Sequence, residues 1–226
     1  LQKDAVVSET ASWIFRATPY IVFLTALSVS LLVPLVSTQA PLSLVGGVLA
    51  VIYLLALGRF FLALAGLDTA SAFGGMGSSR EMTISAIAEP AMMLSIFTVA
   101  IAAGSTNLSE MSRVAMSQEW KFLTPSHLLA FVAMFIVLIA ETGRVPVDNP
   151  ATHLELTMIH EAMILEYSGP YLALIEWASA IKQLVLMTLL INVFFPFGLS
   201  ADWSLAGIAF SLACFVVKLF VLCGLV

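Results

Sequence analysis

Six long apolar segments alternate with shorter polar stretches along this chain. Their lengths are close to the roughly 20 residues that a helix needs to cross a hydrocarbon core of about 30 Å. They lie at about residues 18–37, 43–67, 84–104, 126–142, 171–197 and 203–226. The pattern therefore predicts six transmembrane helices, with short turns after the first and the fifth.

Composition indicates the same class. The 226 residues are 61% hydrophobic and only 10% charged, with a mean hydropathy of +1.05, whereas soluble domains carry roughly 25% charged residues. We expect an all-α fold, a polytopic transmembrane helix bundle in a lipid bilayer that forms one domain over residues 1–226. We also expect an internal part of a longer chain, since the sequence starts at Leu1 and ends at Val226 inside an apolar segment. The net charge of −5, without a basic patch, argues against a nucleic-acid partner.

Basic residues near the segment ends give an orientation. Polar stretches at about 68–83, 105–125 and 143–170 separate the apolar segments. Four basic residues flank one side of the membrane and two flank the other: Lys3, Arg16, Arg80 and Arg144 against Arg113 and Lys121. The excess predicts that the N-terminal segment and the loops 68–83 and 143–170 are cytoplasmic.

The segment ETGRVPVDNPATHLELTMIHEAMILEYSG, residues 141–169, holds five carboxylates and two of the three histidines. Its Asn-Pro pair at 149–150 is typical of a helix start, so we predict a helix from there to about Glu166. Glu155 and Glu166 would share one face of this helix, while the histidines form a second stripe and Glu161 lies apart. The two stripes predict two partner surfaces. A merely solvated surface helix is the alternative.

Neither the histidines nor the cysteines predict a metal centre. The sequence HEAMI has Ile164 where a zinc protease has its second histidine. Cys214 and Cys223 lie nine residues apart and form no CxxC pair. We expect no metal, iron–sulfur cluster or other cofactor to be bound by this chain.

Charged residues inside the apolar segments are the clearest sign of function. Such a charge costs about 2.5–3.5 kcal/mol at a helix centre, so it normally faces a partner charge, a wet cavity or a proton path. Lys182 and Glu176 lie inside one segment and need partners from other helices. Glu89 and Glu141 lie at the cytoplasmic ends of two other segments. We predict functional roles for these residues, with structural ion pairing as the alternative.

The remaining polar residues predict structure rather than chemistry. Arg59 and Lys218 are expected to extend toward the membrane interface. The stretch 68–83 is rich in small residues, which permits close approach of a neighbour or ligand, and it lacks a nucleotide-binding glycine motif. Ser78 is expected to begin the next helix, with Glu81 as its capping-box acid.

The sequences GLDTASAFGGMGSSREM (66–82), AEP (88–90) and the whole of 141–169 resemble the subunit 1 family of respiratory complex I. The likeness is closer to the homologous membrane subunit of energy-converting, membrane-bound NiFe hydrogenases of the formate hydrogenlyase type. It covers nearly all of the chain. Complex I members usually read close to ETxRxPFDLPEAExEL, and the matching residues here are Glu141, Thr142, Arg144, Pro146, Asp148, Pro150 and Glu155, followed by the EYSG of 166–169. The departures are Val147, Asn149, Ala151, Thr152 and His153.

The resemblance implies an eight-helix subunit, of which this chain corresponds to helices two to seven. That subunit joins a peripheral redox arm to a proton-pumping membrane arm. The implied partners are a NiFe large subunit, iron–sulfur subunits and antiporter-like membrane subunits in a prokaryotic cytoplasmic (inner) membrane. The complex would carry the NiFe centre and iron–sulfur clusters, and this subunit would be non-catalytic.

The resulting hypothesis is an anchor and energy-coupling subunit that links cytoplasmic redox chemistry to proton or sodium translocation. The alternative is the quinone-site subunit of a complex I-type NADH:quinone oxidoreductase, with quinone as its ligand; a freestanding transporter is a third, weaker candidate. The residues predicted to couple proton movement are Glu89, Glu141, Asp148, Glu155, Glu161, Glu166, Glu176 and Lys182. Those predicted to border the redox arm or a quinone-like cavity are Asp68, Arg80, Glu81, Arg144, His153, His160 and Tyr167.

Overall fold

The protein is helical throughout the part of the chain that the computed structural model describes. The described residues are 11–34, 47–117, 124–145, 147–148, 158–198 and 205–226. They form α1 (Trp13–Leu32), α2 (Gly47–Asp68), α3 (Ala72–Ala103), α4 (Leu108–Ser117), α5 (Pro125–Glu141), α6 (His160–Ile164), α7 (Gly169–Phe194) and α8 (Leu205–Leu225). Within those ranges there is no strand.

Five of these helices, α1, α2, α3, α7 and α8, are long and apolar enough to cross a membrane. The sixth predicted segment forms α5, which is apolar but has only 17 residues. The predicted all-α, polytopic membrane fold is therefore confirmed. The observed helices lie within a few residues of the predicted segments, except for α3.

Helix α3 starts at Ala72, so most of the predicted loop 68–83 is helical. The predicted helix start at Ser78 is wrong, because Ser78 lies inside α3 and its hydroxyl donates to the carbonyl of Ala63 at 2.9 Å. The glycines here serve close helix packing. A Cβ on Gly74 would overlap with the carbonyl oxygen of Gly66 in α2. Small residues allow membrane helices to approach closely in this way.

Helix α4 was not predicted, although its sequence carries an amphipathic pattern. Leu108, Met111 and Ala115 are buried on one side. Glu110 and Arg113 form an exposed ion pair of 2.5 Å on the other. The spacing of the buried residues is that of one helical face, so the signal was present within the polar stretch 105–125.

The predicted helix from 149–150 to Glu166 is confirmed only over His160–Ile164 among the residues that the structure describes. Met158 and Ile159 precede α6 and are not helical, although the carbonyl of Ile159 accepts the N–H of Met163, and Leu165–Glu166 form a turn after it. A five-residue helix is too short to show an amphipathic period, so α6 could not be recognised from its sequence. Residues 149–157 lie outside the described part.

The chain divides into two compact units, and both contain parts of several helices. The first comprises the described residues of 1–28, 53–89 and 139–182. Its core is formed by Phe15, Leu62, Ala65, Met163, Ile164, Tyr167 and Ile175. The second comprises the described residues of 29–52, 90–138 and 183–226.

A hydrogen bond in the first unit follows from one proline. Pro19 has no N–H group, so the carbonyl of Phe15 in α1 loses its usual partner four residues later. The hydroxyl of Tyr167 donates to that carbonyl at 2.9 Å. The two rings also stack, with centroids 3.9 Å apart. Tyr167 thus fixes the start of α1 to the chain between α6 and α7.

In the second unit, Lys218 of α8 donates to the carbonyls of Phe195 and Phe197, just beyond the end of α7. The Phe195 contact is 2.7 Å. The predicted extension of Lys218 to the interface is therefore replaced by a contact with the carbonyl end of a helix, where a cation is electrostatically favoured.

Candidate functional site

The candidate site is a group of five charged side chains in the first unit, centred on Arg59. Arg59 projects from α2 and is only 6% exposed. Its Nε lies 3.4 Å from Glu81 and its Nη1 lies 3.0 Å from Glu89, both in α3. Its Nη2 pairs with Glu141 at the end of α5. One guanidinium therefore contacts three carboxylates on two other helices.

Lys182 of α7 completes this group, which we call the Arg59 cluster. Its Nζ lies 3.2 Å from Oε2 of Glu141. The same oxygen forms the ion pair with Nη2 of Arg59. The side chain of Glu141 is 3% exposed and that of Lys182 is 26% exposed. The cluster therefore joins four helices, α2, α3, α5 and α7.

The predicted extension of Arg59 toward the interface is wrong. A buried guanidinium needs carboxylates around it, since an unpaired charge is very costly in an apolar interior. The acids Glu89 and Glu141 and the base Lys182 are predicted from the sequence as functional residues, but Arg59, which joins them, is not. The available signal was the position of Arg59, nine residues before the end of α2 at Asp68, well inside an apolar helix.

The cluster can respond to charge as a unit. Its three carboxylates and two cations give a formal net charge of −1 when all are ionised. Because the groups are within about 3.5 Å of their partners, gain or loss of a proton by one carboxylate changes the interaction energy of the others. Such an arrangement can store a proton or change shape when a nearby charge changes.

A tight turn leads from the cluster to Asp148. Gly143 has a φ of +58°, a conformation in which glycine carries no steric cost. The backbone N–H groups of Val147 and Asp148 both donate to the carbonyl of Arg144. Glu141 and Asp148 consequently lie at the two ends of one short, internally hydrogen-bonded turn.

Asp148 connects this turn to α6. It is 4% exposed, and its Oδ2 accepts hydrogen bonds from the backbone N–H groups of Ile159 at 3.3 Å and His160 at 3.1 Å. Its Oδ1 is buried and has no hydrogen-bond partner among the described residues. Asp148 therefore holds the first turn of α6 with one oxygen, while its other oxygen has no donor within the described ranges.

The α6 helix lies directly on glycines of α3. A Cβ on Gly77 would lie 2.9 Å from the carbonyl oxygen of Ile159 and 3.0 Å from Cβ of Ala162. The small-residue stretch 68–83 thus permits close approach of a neighbouring element, as expected, and that neighbour is α6.

Two other predicted site residues are strongly affected by their surroundings. Burial, and to a smaller extent the Lys182 ammonium, lowers the pKa of His160 to about 4 against the opposing effect of Asp148. His160 is therefore neutral near pH 7. Burial raises the pKa of Tyr167 well above its usual range, so Tyr167 stays a neutral hydrogen-bond donor.

The structure brings some predicted residues together and separates others. Glu81, Glu89, Glu141 and Lys182 belong to the Arg59 cluster. Asp148 follows Glu141 across one turn and accepts the N–H of His160. Glu161, Glu166, Glu176 and Arg144 are exposed, and Asp68 and Arg80 are half-buried. Asp68 accepts the backbone N–H of Ser12 at 2.8 Å, which fixes the start of α1. Glu155 and His153 lie outside the described residues.

The need for cross-helix partners is met for one of the two charges predicted inside the fifth segment. Lys182 pairs with α5, as expected. Glu176 takes part in none of the ion pairs found within the described ranges. No set of three or more His, Cys, Asp or Glu side chains in those same ranges is arranged to hold a metal ion.

Comparison with known proteins gives one family and several relatives. The NADH dehydrogenase family matches residues 1–226. Hydrogenase-4 component C of Escherichia coli K12 is 36% identical over 96% of this chain and 67% of that protein. Formate hydrogenlyase subunit 4 of the same organism is 32% identical over 98% of this chain and 71% of that protein. An NADH-quinone oxidoreductase subunit of Rubrobacter xylanophilus is 27% identical over 81% of this chain and 54% of that protein.

A solved structure has the same fold. A chain of the membrane-bound sulfane sulfur reductase, an archaeal respiratory membrane complex, superimposes with a TM-score of 0.79 at 19% identity. The match covers 98% of this chain and 71% of that chain. At this identity the likeness supports the fold alone.

Proposed function

Because the chain belongs to the NADH dehydrogenase family of membrane subunits, we propose that it is the anchor and energy-coupling subunit of a multisubunit, membrane-bound NiFe hydrogenase. The broader assignment is a multi-pass membrane subunit of a complex I-like assembly in a prokaryotic cytoplasmic membrane. The choice of a hydrogenase is supported by 36% and 32% identity to the two Escherichia coli relatives, against 27% to the Rubrobacter xylanophilus protein.

The observation that carries the coupling role is the Arg59 cluster. Four helices meet in it through ion pairs, and two of its members, Arg59 and Glu141, are almost fully buried. A purely structural ion pair needs one cation and one carboxylate, whereas this group shares five charges. A redox-linked change of charge nearby would redistribute protons among Glu81, Glu89 and Glu141.

Partner subunits would supply the redox chemistry in this proposal. A NiFe large subunit and iron–sulfur subunits would dock on the cytoplasmic side, and antiporter-like subunits would lie beside this chain in the membrane. The residues of this chain would hold and move protons, which drives proton or sodium translocation in those neighbours. This subunit would bind no redox cofactor of its own.

The alternative is a quinone-site subunit of an NADH:quinone oxidoreductase. It is supported by the 27% identity to a protein named for that activity. The two proposals differ in what the purified complex contains and does. Nickel and hydrogen evolution favour the hydrogenase, whereas inhibition of turnover by a quinone analogue favours the alternative.

The test replaces Glu141 with glutamine in the intact complex. Glu141→Gln keeps the shape of the side chain and an oxygen that can accept a hydrogen bond from Arg59, but it removes the negative charge and the titratable carboxylate. We expect the complex to assemble, while hydrogen evolution linked to ion movement in membrane vesicles falls at least tenfold. The matched control is Glu110→Gln, which changes an exposed acid of α4. Wild-type activity and ion movement in Glu141→Gln would exclude the coupling role.

A further inference from the structure

The start of α6 is held to Asp148 through only one of the two carboxylate oxygens. Asp148 is a buried carboxylate whose Oδ2 accepts two backbone N–H groups of α6 while its Oδ1 accepts none from the described residues. A buried, unsatisfied carboxylate oxygen attracts any donor that can reach it.

Lys182 is the candidate donor. Its charge and that of Asp148 have opposite effects on the pKa of His160, so both act on that side chain. Lys182 also contacts Glu141, which lies at the other end of the turn that carries Asp148. Its side chain is 26% exposed, against 4% for Arg59, so it has room that Arg59 lacks.

Glu141, the present partner of Lys182, has a second cation beside it. Oε2 of Glu141 is shared by Lys182 and Arg59. When Lys182 leaves, Glu141 remains paired with Arg59. When Glu141 takes up a proton, its attraction for Lys182 falls, while Asp148 keeps its negative charge.

We propose that Lys182 exchanges between Glu141 and the free Oδ1 of Asp148, and that this exchange links the charge of the Arg59 cluster to the seating of α6. In the structure Lys182 forms an ion pair with Glu141. Protonation of Glu141 moves the Lys182 ammonium to Asp148, which strengthens the contact between the turn and the first residues of α6. The charged groups around this exchange are Arg59 from α2 and Glu81 and Glu89 from α3. The titratable but neutral group is His160 from α6.

Helix α6 is suited to report such a change. Its residues pack directly on Gly77 of α3, and Met163 and Ile164 belong to the core of the first unit. A change in how tightly the first turn of α6 is held therefore changes the conformation of the chain between α5 and α7. This part of the chain belongs to the segment 141–169, which is predicted to face the redox arm. The significance of the exchange rests on the proposed coupling role, but the movement of Lys182 can be measured independently of it.

The test measures hydrogen–deuterium exchange by mass spectrometry in the intact complex, using peptides that contain Ile159 and His160. Glu141→Gln imitates the protonated acid and should slow exchange in these peptides about tenfold, the effect of one added charge-assisted hydrogen bond. The double variants Glu141→Gln/Lys182→Met and Glu141→Gln/Asp148→Asn should not show this slowing. Asparagine can keep one oxygen for the two N–H groups of α6, but it removes the charge and replaces Oδ1 by an amide nitrogen that cannot accept a hydrogen bond from Lys182.

The possible results separate the movement of Lys182 from the coupling role. An unchanged rate of hydrogen–deuterium exchange in Glu141→Gln overturns the proposal, and so does an equal slowing of that rate with and without Lys182. If hydrogen evolution is uncoupled in Glu141→Gln while exchange is unchanged, the coupling role stands and the movement of Lys182 falls. If exchange slows as expected while activity and ion movement are normal, the movement of Lys182 stands and the coupling role falls.

Discussion

Arg59 of α2 and Glu141 of α5 form a buried ion pair although 82 residues separate them in the chain. Removing one partner of such a pair leaves an uncompensated charge in an apolar interior. This typically costs about 3–5 kcal/mol. The Arg59 cluster therefore contributes to the stability of the first unit as well as to its proposed function.

We expect Arg59→Met to lower the amount of folded subunit in membranes severely, because three carboxylates would remain with Lys182 alone. The measurement is the thermal midpoint of the detergent-purified complex together with the subunit content of membranes. Arg113→Met is the matched control, since the Arg113 side chain is 70% exposed and exposed pairs contribute only about 0–1 kcal/mol. Equal stability of the two variants would contradict a buried charge cluster.

The glycines of α3 give a second prediction with an internal control. Gly77→Ala should destabilise the protein by about 1–3 kcal/mol, because the new Cβ would lie 2.9 Å from the carbonyl oxygen of Ile159. Gly75→Ala introduces the same methyl group two residues earlier, where nothing lies within 4 Å. It should be neutral or stabilising by up to about 1 kcal/mol, since alanine favours helix more than glycine does. Thermal unfolding of both variants distinguishes close packing of α6 from a general effect of alanine.

The hydroxyl of Tyr167 gives a third prediction. Tyr167→Phe keeps the ring that stacks on Phe15 but leaves the carbonyl freed by Pro19 without its donor. The cost should be about 1–3 kcal/mol, the penalty of a buried unsatisfied polar group. Tyr53→Phe, which changes a tyrosine that is 63% exposed, should lie within about 0.5 kcal/mol of the wild type. A Tyr167→Phe protein as stable as Tyr53→Phe would show that the carbonyl has another partner.

The membrane helices were predictable because hydropathy is a local property. A segment of 19 or more residues with a high mean hydropathy can be recognised without knowledge of its neighbours, as α8 illustrates. The pairing of Arg59 with Glu141 is a tertiary contact, and no local signal says which helices will be adjacent. The acids could be proposed from the cost of a charge in the membrane, but that cost is the same for a pair, a cavity or a proton path.

The incorrect helix predictions have similar physical causes. The predicted cap at Ser78 used local capping chemistry, whereas Ser78 bonds to α2 and the helix starts earlier because α3 packs on its glycines. Helix α6 is too short for a period to appear in the sequence. Helix α4 is different, since the buried spacing of Leu108, Met111 and Ala115 could have been read directly.

The last prediction concerns pH. The pKa of His160 is lowered to about 4 by burial and by Lys182, against an ordinary value of 6.5. The unfolded chain therefore binds a proton on His160 between pH 6.5 and pH 4, while the folded protein does not. Stability consequently falls as the pH falls through this window and is fully present above it.

We expect His160→Gln to lose part of this acid sensitivity, because glutamine does not titrate. The measurement is the change in thermal midpoint of the purified complex between about pH 7.5 and about pH 5, on either side of the ordinary histidine pKa. This change should be smaller in His160→Gln than in the wild type. At the higher pH the two proteins should differ much less, since His160 is neutral there. An identical acid-induced decrease in both proteins would show that protonation of His160 does not oppose folding.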